Sequence, residues 1–214
     1  HINFYNKQYK TEYDRNLSLA KFLKKTHSKF ILISTRQVYK PRMNINENST
    51  IKPISIYGKN SLNSEKNCEK VLQSKLLILR LTNIIGYENE NKKKPSLMSI
   101  IINGYKNDLI EFDNNYYLYK DLLPVNQFVQ IFQRIIKFDL NGIYNIGTGK
   151  PMKINLFLKK ILDKKKINIK IDNKKKVLDN NFSINSKKLF RKIGYTFTYR
   201  MLNNEIDNLK KKFK

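Results

Sequence analysis

The chain is expected to fold as an α/β protein: a parallel sheet with helices on both faces, followed by a smaller C-terminal α+β region. Three observations predict this. Phe30-Ile31-Leu32-Ile33 is short, continuous and apolar, as a strand covered on both faces of a parallel sheet must be. Leu76–Leu81 and Ile143–Ile146 are runs of the same kind, with helical patterns between them. Beyond Pro151 the chain turns lysine-rich, with short alternating elements.

The elements follow in order. A helix over Asp14–Lys25 places Leu17, Leu19, Ala20, Phe22 and Leu23 toward the sheet. The strand Phe30–Ser34 runs into an irregular polar loop. A helix then starts near Tyr57 and reaches about Ser74; Asn60, Ser61, Asn63 and Ser64 favour it little, but Glu65-Lys66 and Cys68–Leu72 carry it onward. At about 100° per residue, Tyr57, Ser61, Glu65 and Cys68 share one face and Lys59 points to another. After the strand Leu76–Leu81, residues 87–124 leave the sheet, with a helix over Leu97–Tyr105 and a strand over Leu109–Phe112. Val125–Phe138 is an amphipathic helix through Phe128, Val129, Ile131, Phe132, Ile135 and Ile136. It leads back to the strand Ile143–Ile146, and Gly147-Thr148-Gly149 is a turn closing the core. The C-terminal part holds a helix over Leu156–Lys164, a strand over Ile167–Ile171, and a helix over Ser186–Ile193 with Ser186 as N-cap and Gly194 as stop. A last helix starts at about Asn203.

The chemistry concentrates between Phe30 and Glu65. Ser34 and Thr35 lie at the C-terminal end of a strand, where open α/β sheets place their ligands. Tyr57 opens the next helix. A tyrosine, with a reference pKa of about 10, exchanges protons near neutrality only when a neighbouring cation favours the phenolate. A lysine one helical turn along would supply that charge. Position 61 is serine, neutral and short.

These residues resemble an extended short-chain dehydrogenase/reductase of the NAD-dependent epimerase/dehydratase type that acts on nucleotide sugars. Ile33-Ser34-Thr35 through Val38-Tyr39 resembles the family's "SS/ST…VYG" strand end. Pro53 and Tyr57-Gly58 through Glu65 resemble "P…YGxSKxxxE". Leu79–Asn83 with Gly86 resembles "LRxxNxxG", Lys120–Val125 resembles "RDFxxV" with lysine for arginine, and Gly142–Gly147 resembles "GxYNIG". Five segments in the right order cover most of the chain.

The resemblance implies a Rossmann-type sheet and a division into four stretches. Residues 1–86 would be the remnant of an NAD(P)-binding domain and 87–124 an excursion into the substrate domain. Residues 125–150 would be the last helix and strand of the core, and 151–214 the C-terminal substrate domain. It implies Thr35, Tyr57, Ser61 and Asn16 at catalytic positions, and Tyr57, Ser61 and the Leu81 backbone beside the cofactor, NAD or NADP. Thr35, Asn83 and Lys120 would contact the nucleotide-sugar substrate. Arg36 and Gln37 stand where dehydratases of the family carry an acid pair, which argues against dehydration. An epimerase or 4-keto reductase in polysaccharide biosynthesis is the expectation, with turnover weakened by Ser61. His1 and the residues after it resemble the end of the family's fourth strand, so about 60 to 80 residues of an ordinary member would precede them. No glycine-rich phosphate loop occurs among the seven glycines; the expectation is an N-terminally truncated chain.

Composition is consistent with this. A 214-residue chain with 40% hydrophobic residues can build a packed core. A single cysteine, Cys68, rules out an internal disulfide and fits a reducing cytoplasm. No apolar run reaches the roughly 18 residues a membrane helix needs, and HINFYNKQYK lacks a signal-peptide core. The formal net charge is +26, which raises the question of nucleic acid. Yet only seven of the 43 basic residues are arginines, and the lysines are scattered in short runs such as Lys164–Lys166 beside an equally heavy use of Asn and Ile. That pattern suggests codon bias, and a positive field that draws in anionic nucleotide sugars. His1 and His27 have neither metal spacing nor a nucleophile partner. Two other classes remain compatible: an inactive binding or assembly subunit, with homodimerisation possible, and a basic nucleic-acid binder.

Overall fold

The computed structural model describes residues 7–87, 96–112, 117–162, 165–171 and 180–213. His1 and the lysine runs at 92–94 and 174–176 lie outside them. The first helix, α1 (Arg15–Leu23), starts one residue later than expected because Asp14 caps it, its carboxylate accepting the N–H groups of Asn16 and Leu17. Strand β1 (Phe30–Thr35) extends through the hydroxyl pair, and a short 3-10 turn, Arg36–Val38, follows at once. Helix α2 (Ile56–Leu72) is capped by Ser55, whose side chain accepts from the Gly58 N–H. It ends where Gln73 takes a positive φ of 49°.

Strand β2 (Leu76–Leu81) is buried along its whole length, which is why it carries no polar alternation. The short strand β3 (Asn83–Ile85) continues from it, then α3 (Leu97–Lys106), β4 (Leu109–Phe112), β5 (Tyr119–Lys120) and β6 (Leu122–Pro124). Helix α4 (Val125–Ile135) leads into β7 (Gly142–Ile146), and β8 (Met152–Lys153), α5 (Ile154–Leu162), β9 (Asn168–Ile171), α6 (Lys187–Ile193) and α7 (Tyr199–Lys212) complete the order. The last helix begins earlier than the sequence indicated because Thr198, not a residue near Asn203, supplies the cap.

The main sheet is three-stranded and parallel, in the order β1-β2-β7. Thr35 pairs with Leu81 and Leu81 with Ile146, so the three strands end level. Helices α1 and α2 cover one face through Ala20, Leu32, Cys68, Leu72, Leu76 and Ile78. The other face belongs to a larger cluster that runs from Leu77 and Leu79 through Met98, Ile131 and Phe157 to Leu202 and Phe213. The small parallel pairs β3–β6 and β4–β9 and the antiparallel pair β5–β8 extend this side; of their strands, sequence patterning pointed only to β4 and β9. Gly194 stops α6 in the left-handed conformation, φ 59°, as expected. Ser186 does not cap α6 with its side chain. Its hydroxyl instead exchanges two hydrogen bonds with the backbone of Gly147, tying the turn after β7 to the C-terminal region. Among the described residues no helix is long and apolar enough to cross a membrane.

Candidate active site

Thr35 ends β1 and is buried; its Oγ1 accepts the Gln37 N–H at 3.2 Å and so caps the turn that follows. The first turn of α2 is pressed onto that same turn. The Ser55 hydroxyl donates to Gln37 Oε1 at 2.7 Å. A Cβ on Gly58 would stand 2.3 Å from the Gln37 carbonyl oxygen, so only glycine allows the approach. Together these contacts bring the Tyr57 turn against the end of β1, where the Thr35 hydroxyl lies.

Ser61 is half-buried one turn along α2, and its hydroxyl donates to the Tyr57 carbonyl at 2.8 Å. This is the back-bonding that serine often makes inside helices, and it commits the hydroxyl to the helix backbone. Asn16 also reaches α2, but a turn further on: its Nδ2 donates to Ser64 Oγ at 3.1 Å, and Ser64 donates to the buried Asp14 carboxylate. Asn83 is half-buried at the start of β3, paired with Leu122. Leu81 closes the level row of strand ends with its side chain in the core. Lys120 lies on β5; its Nζ donates to the Asn180 carbonyl at 2.6 Å and stands 5.1 Å from the centre of the Phe182 ring. The helix turn that carries Tyr57 thus packs on the 3-10 turn after Thr35, Ser61 lies one turn further along α2, and Asn16 bonds the same helix at Ser64.

Two polar hubs went unrecognised in the sequence. The first joins α2 to all three sheet strands. Arg80 Nη2 donates to Glu65 Oε2 at 2.6 Å, its Nε donates to both Glu65 oxygens at 3.2 Å, and its Nη1 donates to the Tyr39 hydroxyl at 2.8 Å. Tyr39 passes the chain on to Asn145 Oδ1, and Ser34 donates to the other side of Glu65. The ion pair is 5% and 3% exposed. Burial alone would lower the Arg80 pKa, but the Glu65 carboxylate outweighs it and holds the guanidinium above its ordinary value. The signal was available: an arginine in the otherwise apolar LLILRL is a buried charge that requires a partner.

The second hub is Asp121, fully buried. It accepts hydrogen bonds from the Thr148 N–H and hydroxyl, the Gly149 N–H and the Ile184 N–H, all within 3.0 Å. Burial pushes its carboxyl upward, while these four donors favour the charged form. A cavity of about 680 Å³ opens nearby between Lys150, Lys187, Phe190, Arg191 and Tyr195. None of the residues singled out for chemistry lines it.

The chain covers 94% of itself and 68% of a UDP-N-acetylglucosamine 4-epimerase from Methanobrevibacter ruminantium M1, solved with UDP-N-acetylmuramic acid, at 20% identity and a TM-score of 0.80. A UDP-glucuronic acid 4-epimerase from Bacillus cereus, in complex with UDP-glucuronic acid and NAD, is similar over 93% of this chain and 67% of its own, at 20% identity and a TM-score of 0.74. A dTDP-glucose 4,6-dehydratase from Bacillus anthracis, in complex with NAD, gives 90%, 65%, 19% and 0.73. The chain therefore spans about two thirds of these structures, which share its Rossmann-type fold. No curated protein matches it at a significant level. The family model for the NAD dependent epimerase/dehydratase family matches residues 3–147, which include the strand-end threonine, the tyrosine helix and both polar hubs' central residues, and the chain belongs to that family.

Proposed function

We propose that the chain is the sugar-handling and proton-transfer part of an NAD(P)-dependent nucleotide-sugar epimerase or 4-keto reductase, and that its turnover is impaired. The observation that carries this is the junction at Gln37, which holds the Thr35 strand end against the first turn of the tyrosine helix. Thr35 Oγ1 accepts from backbone, which leaves its O–H free to donate to a sugar oxygen. Tyr57 moves the proton of the reacting sugar hydroxyl. Asn83 and Lys120 contact the substrate, with residues 87–124 and 151–214 forming the part that receives it. When bound, the nicotinamide cofactor supplies hydride transfer. Tyr57, Ser61 and the Leu81 backbone would hold its nicotinamide end. Its pyrophosphate needs a glycine-rich turn ahead of a helix, and the chain's glycines provide none.

Impairment follows from position 61. The Ser61 hydroxyl is spent on the Tyr57 carbonyl and carries no charge to favour phenolate. The reduced, buried Cys68 and the substrate class support a cytoplasmic setting that feeds polysaccharide synthesis. Two measurements test the reading. Isothermal titration should detect UDP-sugars binding to this chain; no binding would remove the nucleotide-sugar function. Ser61→Lys, in a form that also carries a glycine-rich first βα unit, should raise sugar-dependent NAD(P)H change by about 100-fold or more. An unchanged rate would show that position 61 does not limit chemistry. Binding without turnover in both forms would favour the inactive-subunit reading.

A further inference from the structure

Arg36 follows Thr35 directly and opens the 3-10 turn. It is only 7% exposed. Its guanidinium carbon lies 3.5 Å from the centre of the Phe182 ring, and Nη1 donates to Asn180 Oδ1 at 3.1 Å. Its Nε is fully buried and has no hydrogen-bond partner. Among the described residues no carboxylate lies within ion-pairing distance of it. Burial lowers its pKa to about 10. The contrast with Arg80, equally buried but clasped by Glu65, shows what this fold does with an arginine whose role is structural.

A guanidinium has five N–H donors in a planar fork that matches a carboxylate. Here one of them is bonded to an amide oxygen. A cation taken out of water without a counter-ion is costly, and folded proteins rarely leave a buried N–H unbonded. A ligand that brought an anion to the 7% of the residue that stays exposed would make up the charge deficit. Arg36 follows Thr35 in the chain and shares Asn180 and the Phe182 ring with Lys120, so it adjoins two residues proposed above to contact the sugar. Phe182 holds the fork flat from one side and Asn180 fixes its rotation.

We infer that Arg36 recognises a carboxylate on the sugar, so that the substrate of this site is a nucleoside diphosphate bearing an acidic sugar, a uronate or its like. This rests on the nucleotide-sugar function proposed above. It assigns to Arg36 a specificity role in place of the proton-transfer role that an acid at this position would have.

The test is titration calorimetry of this chain with UDP-glucuronate, UDP-glucose and UDP, on the wild type and on Arg36→Gln and Arg36→Lys. The wild type is expected to bind UDP-glucuronate about 10- to 100-fold more tightly than UDP-glucose. Arg36→Gln should abolish that preference, weakening UDP-glucuronate by about 10- to 100-fold and UDP-glucose by much less. Arg36→Lys, which keeps the charge but not the fork, should recover part of it. Equal wild-type affinity for the two sugars overturns the inference and needs no variant, so misfolding of a mutant cannot protect it. Equal loss of all three ligands in Arg36→Gln overturns it in favour of a structural strut. A wild type that binds UDP as tightly as UDP-glucuronate, with both weakened by Arg36→Gln, overturns it in favour of diphosphate recognition. If none of the three binds, the nucleotide-sugar reading itself has failed.

Discussion

Single side chains in this protein are read by what they bond to and at what burial. Ser61 and Arg36 illustrate opposite cases: one gives its only donor proton to its own helix, the other is a buried cation with a donor left over. Cys68 is a third, since burial raises its thiol pKa to about 12 and leaves it unreactive in the sheet-facing core. Glu205 is a residue whose charge opposes folding. It is 7% exposed on α7, and burial holds its carboxyl above the ordinary value. A raised folded-state pKa means that the folded protein holds the proton more tightly than the unfolded chain. The contribution is most favourable below the unfolded carboxylate range and is lost as pH rises through the folded value. Glu205→Gln should therefore raise the melting temperature at neutral pH, and the gain should vanish below about pH 4, where Glu205 is protonated in both states. A gain independent of pH in thermal melts would contradict this.

The elements are held in place as much by the polar chain through Glu65, Arg80, Tyr39 and Asn145 as by apolar packing. It fixes α2 to β1, β2 and β7 at the level where the tyrosine helix meets the strand ends. Breaking one partner of a buried pair strands the other charge, at about 3–5 kcal/mol. Urea unfolding should therefore show Glu65→Leu and Arg80→Leu each destabilised by about that amount. The double replacement should be much less destabilised than the sum, because it strands no charge. Additive losses would mean that the two side chains act separately. Hydrophobic periodicity located α2, β2 and α4 to within a few residues. It did not locate β5, β6 or β8, because strands of two or three residues carry no period; β6 exists because β3 pairs with it, and β5 because β8 does.

At the scale of the molecule two features pull against each other. In the described sheet β1 is an edge strand, with Ile33 46% exposed, and exposed edges invite pairing with other chains. The net charge of +26 keeps copies apart. Salt shortens the reach of that repulsion to about 10 Å at 0.1 M, so self-association seen by sedimentation should increase with ionic strength. A distribution insensitive to salt would show that charge does not restrain the edge. The α/β class and the family were legible in sequence, because each rests on local apolar runs and on motif residues a few positions apart. What the chain could not disclose by itself was which polar residues meet across more than a hundred positions. Tyr39 finds Asn145 only when β7 joins the sheet, and Arg36 finds Asn180 and Phe182 only when the C-terminal segment folds back over the strand ends. Burial and unmet hydrogen-bonding capacity are properties of that closure, and they decide whether a charged side chain is a strut or a recognition group.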